Sequence, residues 1–353
     1  MFDTESYIPI KEYSYLIPFC SSQPKNRCIT QFFTYKTIME YIILAVALLA
    51  VVFGADNLVS GSAAIARIFG ISDFVIGAII VGIGTSFPEL IVSCIGAFKG
   101  NVDVAIGNVV GSNIFNILGI LGVTALIYPV AVKRDNIRFE LPLCIGVSIL
   151  ATLLAFNFFN GNDVIIDRID GAILLLFFAA FIYISFVRDR KKGITTSAEE
   201  ERPQKLSIAI LRTIGGLAVL ITGCHFFVDS AVNIATEWGV NEAFISITLI
   251  ACGTSMPELA ASVAAAAKRN TDLALGNIVG SNIFNITFIL GLSSQITPLS
   301  GGGITFVDYT VMIGAAVLLL LMSMNKKISR AEGGVMFTAF VAYNIYLIST
   351  QTL

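Results

Sequence analysis

Two glutamates occupy the same setting at two places in the chain. Glu89 lies in GTSFPEL and Glu258 in GTSMPEL, and residues 84–122 match residues 253–291 at 25 of 39 positions with a constant offset of 169. Both stretches are otherwise apolar enough for a bilayer, where a carboxylate costs at least ~2.5 kcal/mol to insert and is functional by default. A polar helix break that recurs in two halves of a membrane protein predicts a binding site where the halves meet.

The chemistry available at this site is cation binding. No Lys or Arg lies in residues 72–98 or 241–267, the apolar segments that carry the two carboxylates, to neutralise them. A divalent cation suits such a pair best, and Ca²⁺ takes roughly six to eight oxygen ligands, of which two Glu side chains supply only part. Pro88 and Pro257 precede the glutamates and remove a backbone donor, which frees carbonyls around Thr85 and Thr254 to face an ion.

Neutral oxygens recur on the helix faces beside the glutamates. Ser86 and Ser255 lie three residues before each Glu and therefore on the same face. In the motif GNxVGSNIFN, polar residues repeat every four positions on one face of each helix: Asn108, Ser112 and Asn116, then Asn277, Ser281 and Asn285. Several closely spaced neutral oxygens also suit Na⁺. The glycines of these motifs (Gly107, Gly111, Gly276 and Gly280) predict close helix packing.

Composition and spacing predict the elements that must position these groups. The 353 residues are 56% hydrophobic and only 13% charged, whereas soluble proteins carry about 25% charged residues. A membrane-spanning helix needs about 20 apolar residues. Ten segments supply them, at residues 40–66, 72–98, 103–127, 139–158, 168–187, 207–235, 241–267, 272–296, 305–324 and 333–350. The expected fold is therefore an all-α membrane protein with ten transmembrane helices.

The chain divides into two repeats joined by a charged linker. We expect a disordered extension over residues 1–38 with Met39 as the natural start, a five-helix repeat over 39–187, a cytoplasmic linker over 188–206 and a second five-helix repeat over 207–353. Basic residues concentrate in loops on one side, which places the central loop in the cytoplasm and both termini outside. Because five helices is an odd number, the two repeats have opposite orientation and are inverted.

Other classes of protein fit the sequence poorly. The six cysteines show no metal-ligand spacing and no disulfide framework. No His or Lys lies near Ser86 or Ser255 to act as a base, so we expect no catalytic residue and no enzyme. The duplicated repeat, without a pore-loop signature, argues against a channel. Asp56 and Asp229 sit at matching places in the first helix of each half, which makes them candidates for a role in cation access.

The motif pair GTSFPEL…GNVVGSNIFN and GTSMPEL…GNIVGSNIFN closely resembles the two alpha-repeats of the calcium/cation antiporter superfamily, in its prokaryotic sodium/calcium exchanger branch. The resemblance covers about residues 40–350 and leaves the N-terminal extension unmatched. It implies ten helices in two inverted halves, with the ion sites clustered in the middle of the membrane.

The resemblance also implies roles for individual residues. Glu89, Glu258 and the carbonyls of Thr85 and Thr254 would hold Ca²⁺. The flanking Na⁺ sites would use Ser86, Ser112, Ser255 and Ser281 with the carbonyls of Gly82 and Ala251, and Asn116 and Asn285 would complete the cluster. Many relatives carry Asp where this chain has Asn285, so a K⁺-dependent cycle is not expected on the strength of the family alone.

These inferences predict a secondary active antiporter that exchanges Na⁺ for Ca²⁺ across a prokaryotic inner membrane by alternating access. The alternative is a Ca²⁺/H⁺ exchanger in which the same two glutamates carry protons. Ca²⁺ and Na⁺ would be transported substrates, and no organic cofactor is expected. The expected partners are these ions and the lipid bilayer, with no nucleic acid and no required oligomer.

Overall fold

The structure is a computed structural model that describes residues 25–156, 165–191, 205–239, 251–300 and 304–351. In its first half the elements are α1 (Lys25–Phe69), α2 (Asp73–Thr85), α3 (Phe87–Phe98), α4 (Val102–Ile127), β1 (Val130–Ala131), α5 (Asn136–Ala155), β2 (Ile165–Ile166) and α6 (Arg168–Lys191). The second half contains α7 (Leu206–Glu237), the single turn α8 (Ala251–Gly253), α9 (Met256–Ala267), α10 (Thr271–Ile296), β3 (Leu299–Ser300), α11 (Phe306–Ser323), β4 (Lys327–Ile328) and α12 (Arg330–Gln351).

The predicted all-helical membrane fold is confirmed at the level of helix type and length. Among the described residues, eight helices are long and apolar enough to cross a membrane, and the bent pair α2–α3 makes a ninth. The seventh predicted span, 241–267, is seen only from residue 251, as α8 and the short apolar helix α9, because residues 241–250 lie outside the described part of the chain.

The boundaries of two predicted segments need correction. We expected disorder through residue 38, but α1 already begins at Lys25, and residues 1–24 lie outside the described ranges. No Gly or Pro occurs between Pro24 and Gly54, so nothing in the sequence stops the helix from continuing. The expected linker 188–206 begins with the last turn of α6, which ends at Lys191, and its residues 192–204 are likewise not described.

Helices α4 and α10 form the centre of the molecule. Both are buried over most of their length, whereas the other spans present large apolar side chains such as Leu49, Phe53 and Leu176 on the outside. Four two-residue strands join the halves crosswise at the helix ends. β1 pairs antiparallel with β4 through Val130 and Ile328, and β2 pairs with β3 through Ile165 and Ser300. The central pair of helices is thus held within a shell contributed by both halves.

The predicted close packing of glycines is confirmed for α10. A Cβ on Gly276 would clash with the Phe74 carbonyl oxygen, and one on Gly280 would clash with the carbonyl oxygen of Ala78. α2 and α10 therefore touch backbone to backbone, as small residues allow in membranes. The equivalent partners of Gly107 and Gly111 would be residues 243 and 247, which are outside the described residues.

This contact yields a prediction for the fold. Gly280→Ala is expected to destabilise the protein by about 1–3 kcal/mol, since the new methyl group would meet backbone that cannot rotate away. The measurement is thermal unfolding of the purified protein in one detergent. Gly314→Ala on α11 is the matched control, because no atom lies within 4 Å of its added Cβ and Ala is the better helix former. Equal unfolding midpoints for the two variants would contradict the contact.

Candidate functional site

Both glutamates lie directly after a break in a membrane helix. α2 ends at Thr85 and α3 begins at Phe87, with a bend of 47° between them. Ser86 and Ser255 sit at the two breaks with nearly the same backbone angles (φ −83° and −90°, ψ 10° and 11°), and a proline follows in the first turn of α3 and of α9. Glu89 and Glu258 therefore occupy the first turn of a helix, where the helix dipole favours negative charge.

The two halves exchange hydrogen bonds at the glutamates. Ser86 Oγ donates to Glu258 Oε1 at 2.7 Å, and Ser255 Oγ donates to Glu89 Oε1 at 2.6 Å. Both glutamates are fully buried. The two serines and the two glutamates of the repeated motif are thus brought together, although the two copies lie 169 positions apart in the sequence. Each carboxylate accepts a hydrogen bond from a serine of the opposite half.

The second carboxylate oxygen of each glutamate has no partner in the described part of the chain. Glu89 Oε2 and Glu258 Oε2 are buried and accept no hydrogen bond from a described residue, and no described Lys or Arg forms an ion pair with either side chain. Buried carboxylates ordinarily need a counter-charge or hydrogen bonds. A cation between the two halves would supply both requirements.

Asn108 and Asn277 support the glutamate segments. Asn108 Nδ2 donates to the Glu89 carbonyl oxygen at 3.0 Å and to Ser93 Oγ at 2.9 Å, and Asn277 makes the corresponding bonds to the Glu258 carbonyl and Ser262. Their amide oxygens accept from the threonine hydroxyls, Thr254 to Asn108 and Thr85 to Asn277. These two asparagines therefore hold the broken helices in place.

The remaining serines differ between the halves. Ser281 Oγ donates to the Gly82 carbonyl oxygen at 3.1 Å, which joins α10 to α2. Ser112 on α4 is buried, and its hydroxyl has no hydrogen-bond partner in the described part of the chain. Ala251 opens the short turn α8, which contacts α4. Gly82 and Ser281 are thus in direct contact, whereas the Ser112 hydroxyl bonds to none of the described residues.

Asn116 and Asn285 lie in widened, π-helical turns at the middle of α4 and α10. Asn116 falls within Phe115–Leu121, and Asn285 begins Asn285–Ile289. Such turns often mark functional sites. Both residues are fully buried, and Asn116 Oδ1 and the amide oxygen and nitrogen of Asn285 have no hydrogen-bond partner among the residues that the structure describes. These are further polar atoms that a bound ion, or water around it, would satisfy.

Sequence reasoning missed one member of the polar centre. Asn282 accepts a hydrogen bond from Asn116 Nδ2 at 3.0 Å and donates to the Asn113 carbonyl oxygen at 3.3 Å, so it ties α10 to α4. The signal was present in the repeated SNIFN, whose first Asn is duplicated as Asn113 and Asn282. Asn113 and Asn282 do not lie on the four-residue spacing by which the other polar residues were selected.

The comparisons with known proteins agree on one family. The family model described as sodium/calcium exchanger protein matches residues 39–187 and 208–349. The sodium/calcium exchanger MaX1 of Methanosarcina acetivorans is 32% identical over 344 residues, covering 88% of this chain and 98% of that protein. The inner membrane protein YrbG of Escherichia coli is 37% identical over 313 residues, covering 85% and 94%.

A solved structure has the same fold. The sodium-calcium exchanger NCX_Mj, in a crystal soaked with zero Na⁺ and Ca²⁺, superposes with a TM-score of 0.75 at 32% sequence identity. The match covers 89% of this chain and 99% of that one. The match therefore extends over both repeats.

Proposed function

Since this chain belongs to the sodium/calcium exchanger protein family, and is therefore an integral membrane antiporter and no enzyme, we propose that it exchanges Na⁺ for Ca²⁺ at a site built around Glu89 and Glu258. The observation that carries the proposal is the pair of buried carboxylates, each bonded through one oxygen to the opposite half and each with its other oxygen unpaired among the described residues. A divalent cation would balance both charges at once.

The proposed ligands follow from the groups gathered around this pair. Glu89, Glu258 and the carbonyls of Thr85 and Thr254 would hold Ca²⁺. Na⁺ would bind beside them through neutral oxygens, from Ser86, Ser112, Ser255 and Ser281, the carbonyls of Gly82 and Ala251, and the amides of Asn116 and Asn285. Because Ser86 and Ser255 already touch the carboxylates, the two ions would compete for shared ligands.

The proposed cycle is alternating access between two inverted five-helix repeats with ten helices in all. Two features support it: the constant offset of 169 relates the Ser–Glu and Asn contacts of one half to those of the other, and the strands pair crosswise between halves. Loaded with either ion, the site would be charge-compensated and could change sides. Empty, it would bury two uncompensated carboxylates and stay arrested, which enforces exchange over leak.

The proposed setting is a prokaryotic inner membrane, with the central loop in the cytoplasm and both termini outside. The basic residues of the connecting segments support this orientation, and the relative YrbG is named an inner membrane protein. Asn at position 285 leaves the site with two carboxylates, so the proposed cycle needs no K⁺ to balance a third.

Competition between the ions tests the proposal on purified protein. Na⁺ is expected to displace ⁴⁵Ca²⁺ from the detergent-solubilised protein at equilibrium, whereas the same concentration of K⁺ or choline leaves it bound, because Na⁺ and Ca²⁺ are similar in size and share ligands. Calcium binding that ignores Na⁺ but falls as the pH is lowered would contradict Na⁺ exchange. It would favour the proton exchanger, in which Glu89 and Glu258 take up H⁺ instead.

A further inference from the structure

One lysine joins the first helix to the second half of the molecule. Lys268, directly after α9, lies with its Nζ 2.7 Å from Asp56 Oδ1, 3.0 Å from the Asp56 carbonyl oxygen and 2.5 Å from Ser60 Oγ on α1. A single ammonium group therefore binds two successive turns of α1, and it does so away from the buried glutamates.

The repeat relates this contact to a second set of residues. The offset of 169 carries Lys268 to Lys99, Asp56 to His225 and Ser60 to Asp229. The same offset holds in the packing of α1 on α7, where Gly54 lies against Leu220 and its equivalent Gly223 lies against Val51. The sequence-based prediction that Asp56 and Asp229 are equivalent is therefore wrong by one helical turn. The residue equivalent to Asp229 is Ser60.

The second set is not joined in this structure. Lys99 is exposed and forms no ion pair with any described residue. Asp229 has 56% of its side-chain surface exposed and lies 3.3 Å from His225 Nε2 on the same helix. Lys268 is thus bound, whereas Lys99 forms no ion pair within the described residues and the carboxylate of Asp229 is accessible.

The helix faces next to the two lysines show the same asymmetry. Outward residues of α9, namely Met256, Ala260 and Ala264, pack against the apolar cluster that contains Val51 and Ala55 of α1. Their equivalents on α3 are Phe87, Ile91 and Ile95, which are 46%, 55% and 46% exposed. The apolar side chains on this face are larger in α3 than in α9. They occupy the positions that are equivalent to those through which α9 packs on α1.

The two lysine sites lie at different levels of the α1–α7 pair. These helices are antiparallel, because Asn233 near the end of α7 donates to Glu40 near the start of the α1 span. Asp229 is one turn from Asn233 and so lies level with about residue 44 of α1. Asp56 is about 12 residues further on, or about 18 Å at 1.5 Å per residue.

We propose that Lys268 on Asp56 and Ser60, and Lys99 on Asp229, are alternative latches that hold the two states of the transporter. In the state described here, α1 is latched to the end of α9. In the opposite state, α7 packs on the apolar face of α3, Lys99 binds Asp229, and Lys268 releases Asp56. The inference rests on the proposed alternating access. The proposed orientation places Lys268 on the cytoplasmic side, so the structure described here would be the state that is closed towards the cytoplasm.

Cross-linking tests the latches without relying on ion flux. The six native cysteines are replaced, and Lys99→Cys is combined with Asp229→Cys. A thiol-specific cross-linker about as long as a lysine side chain is then applied to the protein in Na⁺ buffer. Asp56→Cys with Lys268→Cys is the matched pair for the state described here. Both pairs are expected to cross-link, and a variant with all four cysteines is expected to form one link or the other in each molecule.

Two outcomes would overturn the proposal: a 99–229 pair that stays unlinked where the 56–268 pair links, or molecules that carry both links together.

A charge exchange gives a second measurement. Lys99→Asp and Asp229→Lys alone should each slow transport several-fold, and the double variant should recover most of the rate; a double variant no faster than the singles would contradict the latch. If the wild type carries no Na⁺-driven Ca²⁺ flux, the proposed function fails, while the cross-links still report on the latches.

Discussion

Replacing Glu89 by Gln is expected to reduce Ca²⁺ uptake to the level of protein-free vesicles. The substitution keeps the shape of the side chain and removes one of the two buried charges. A unit charge about 4 Å from another is worth about 4 kcal/mol at an effective dielectric constant of about 20, which is roughly three orders of magnitude in affinity. Glu258→Gln should do the same, because the two carboxylates have the same partners in opposite halves.

The measurement is initial ⁴⁵Ca²⁺ uptake by reconstituted protein, with equilibrium ⁴⁵Ca²⁺ binding in detergent beside it. Glu332→Gln is the matched control, since Glu332 accepts hydrogen bonds from Ser329 at the start of α12 and lies outside the site. It should leave uptake within about two-fold of wild type. Full Ca²⁺ transport by Glu89→Gln would remove this carboxylate from the proposed site. It would also leave the buried pair without a function.

Ser86→Ala and Ser255→Ala are expected to lower the exchange rate by roughly 10- to 100-fold each. Each hydroxyl donates to the glutamate of the opposite half, and a hydrogen bond to a charged group contributes about 1.5–3 kcal/mol. Because each serine would also be a Na⁺ ligand, the loss should be larger for Na⁺-driven uptake than for Ca²⁺ binding alone.

A buried serine away from the site separates this effect from packing. Ser323 is fully buried on α11, and its hydroxyl donates to the Leu319 carbonyl one turn earlier in the same helix. Ser323→Ala should therefore transport at close to the wild-type rate. If Ser86→Ala and Ser323→Ala behave alike, the bonds between the halves have no special role in exchange.

The sequence allowed the chemistry of the site to be predicted better than its contacts. Duplication singled out Glu89 and Glu258 because a charge repeated in an apolar setting has few structural explanations. Which hydroxyl meets which carboxylate could not be read from spacing, because Ser86 lies one turn from Glu89 in its own helix and yet bonds to Glu258. Helical periodicity describes one helix at a time, whereas this site is made between helices.

The same limit applies to the contacts of the asparagines. Periodicity placed Asn108, Ser112 and Asn116 on one face of a regular helix, but α4 widens into a π-helical segment at Phe115. Asn108 instead bonds to the chain that carries Glu89, and Asn282, which sits off the chosen face, joins the two central helices. Local departures from regular geometry are set by tertiary packing and leave little trace in composition.

Helix positions were predictable where apolar length decides them and less so at their ends. The predicted spans 103–127 and 272–296 agree with α4 and α10 to within about one residue. The first predicted span, 40–66, agrees with the apolar stretch Thr37–Phe69 to within three residues, but the helix itself begins at Lys25, because the change from polar to apolar sequence near Met39 is a change of environment and not of helix propensity. The prediction that Asp229 is equivalent to Asp56 was wrong because it rested on residue type alone. The packing of α1 on α7 shows that Asp229 is equivalent to Ser60.

Uptake of ⁴⁵Ca²⁺ into proteoliposomes loaded with Na⁺, against vesicles loaded with K⁺ or choline at the same internal and external pH, tests the central claim most directly. We predict rapid uptake only with internal Na⁺, abolished when the outward Na⁺ gradient is removed. Uptake that is equal in all three vesicle types, and that follows an imposed pH gradient, would contradict Na⁺/Ca²⁺ exchange and assign the buried glutamates to proton exchange.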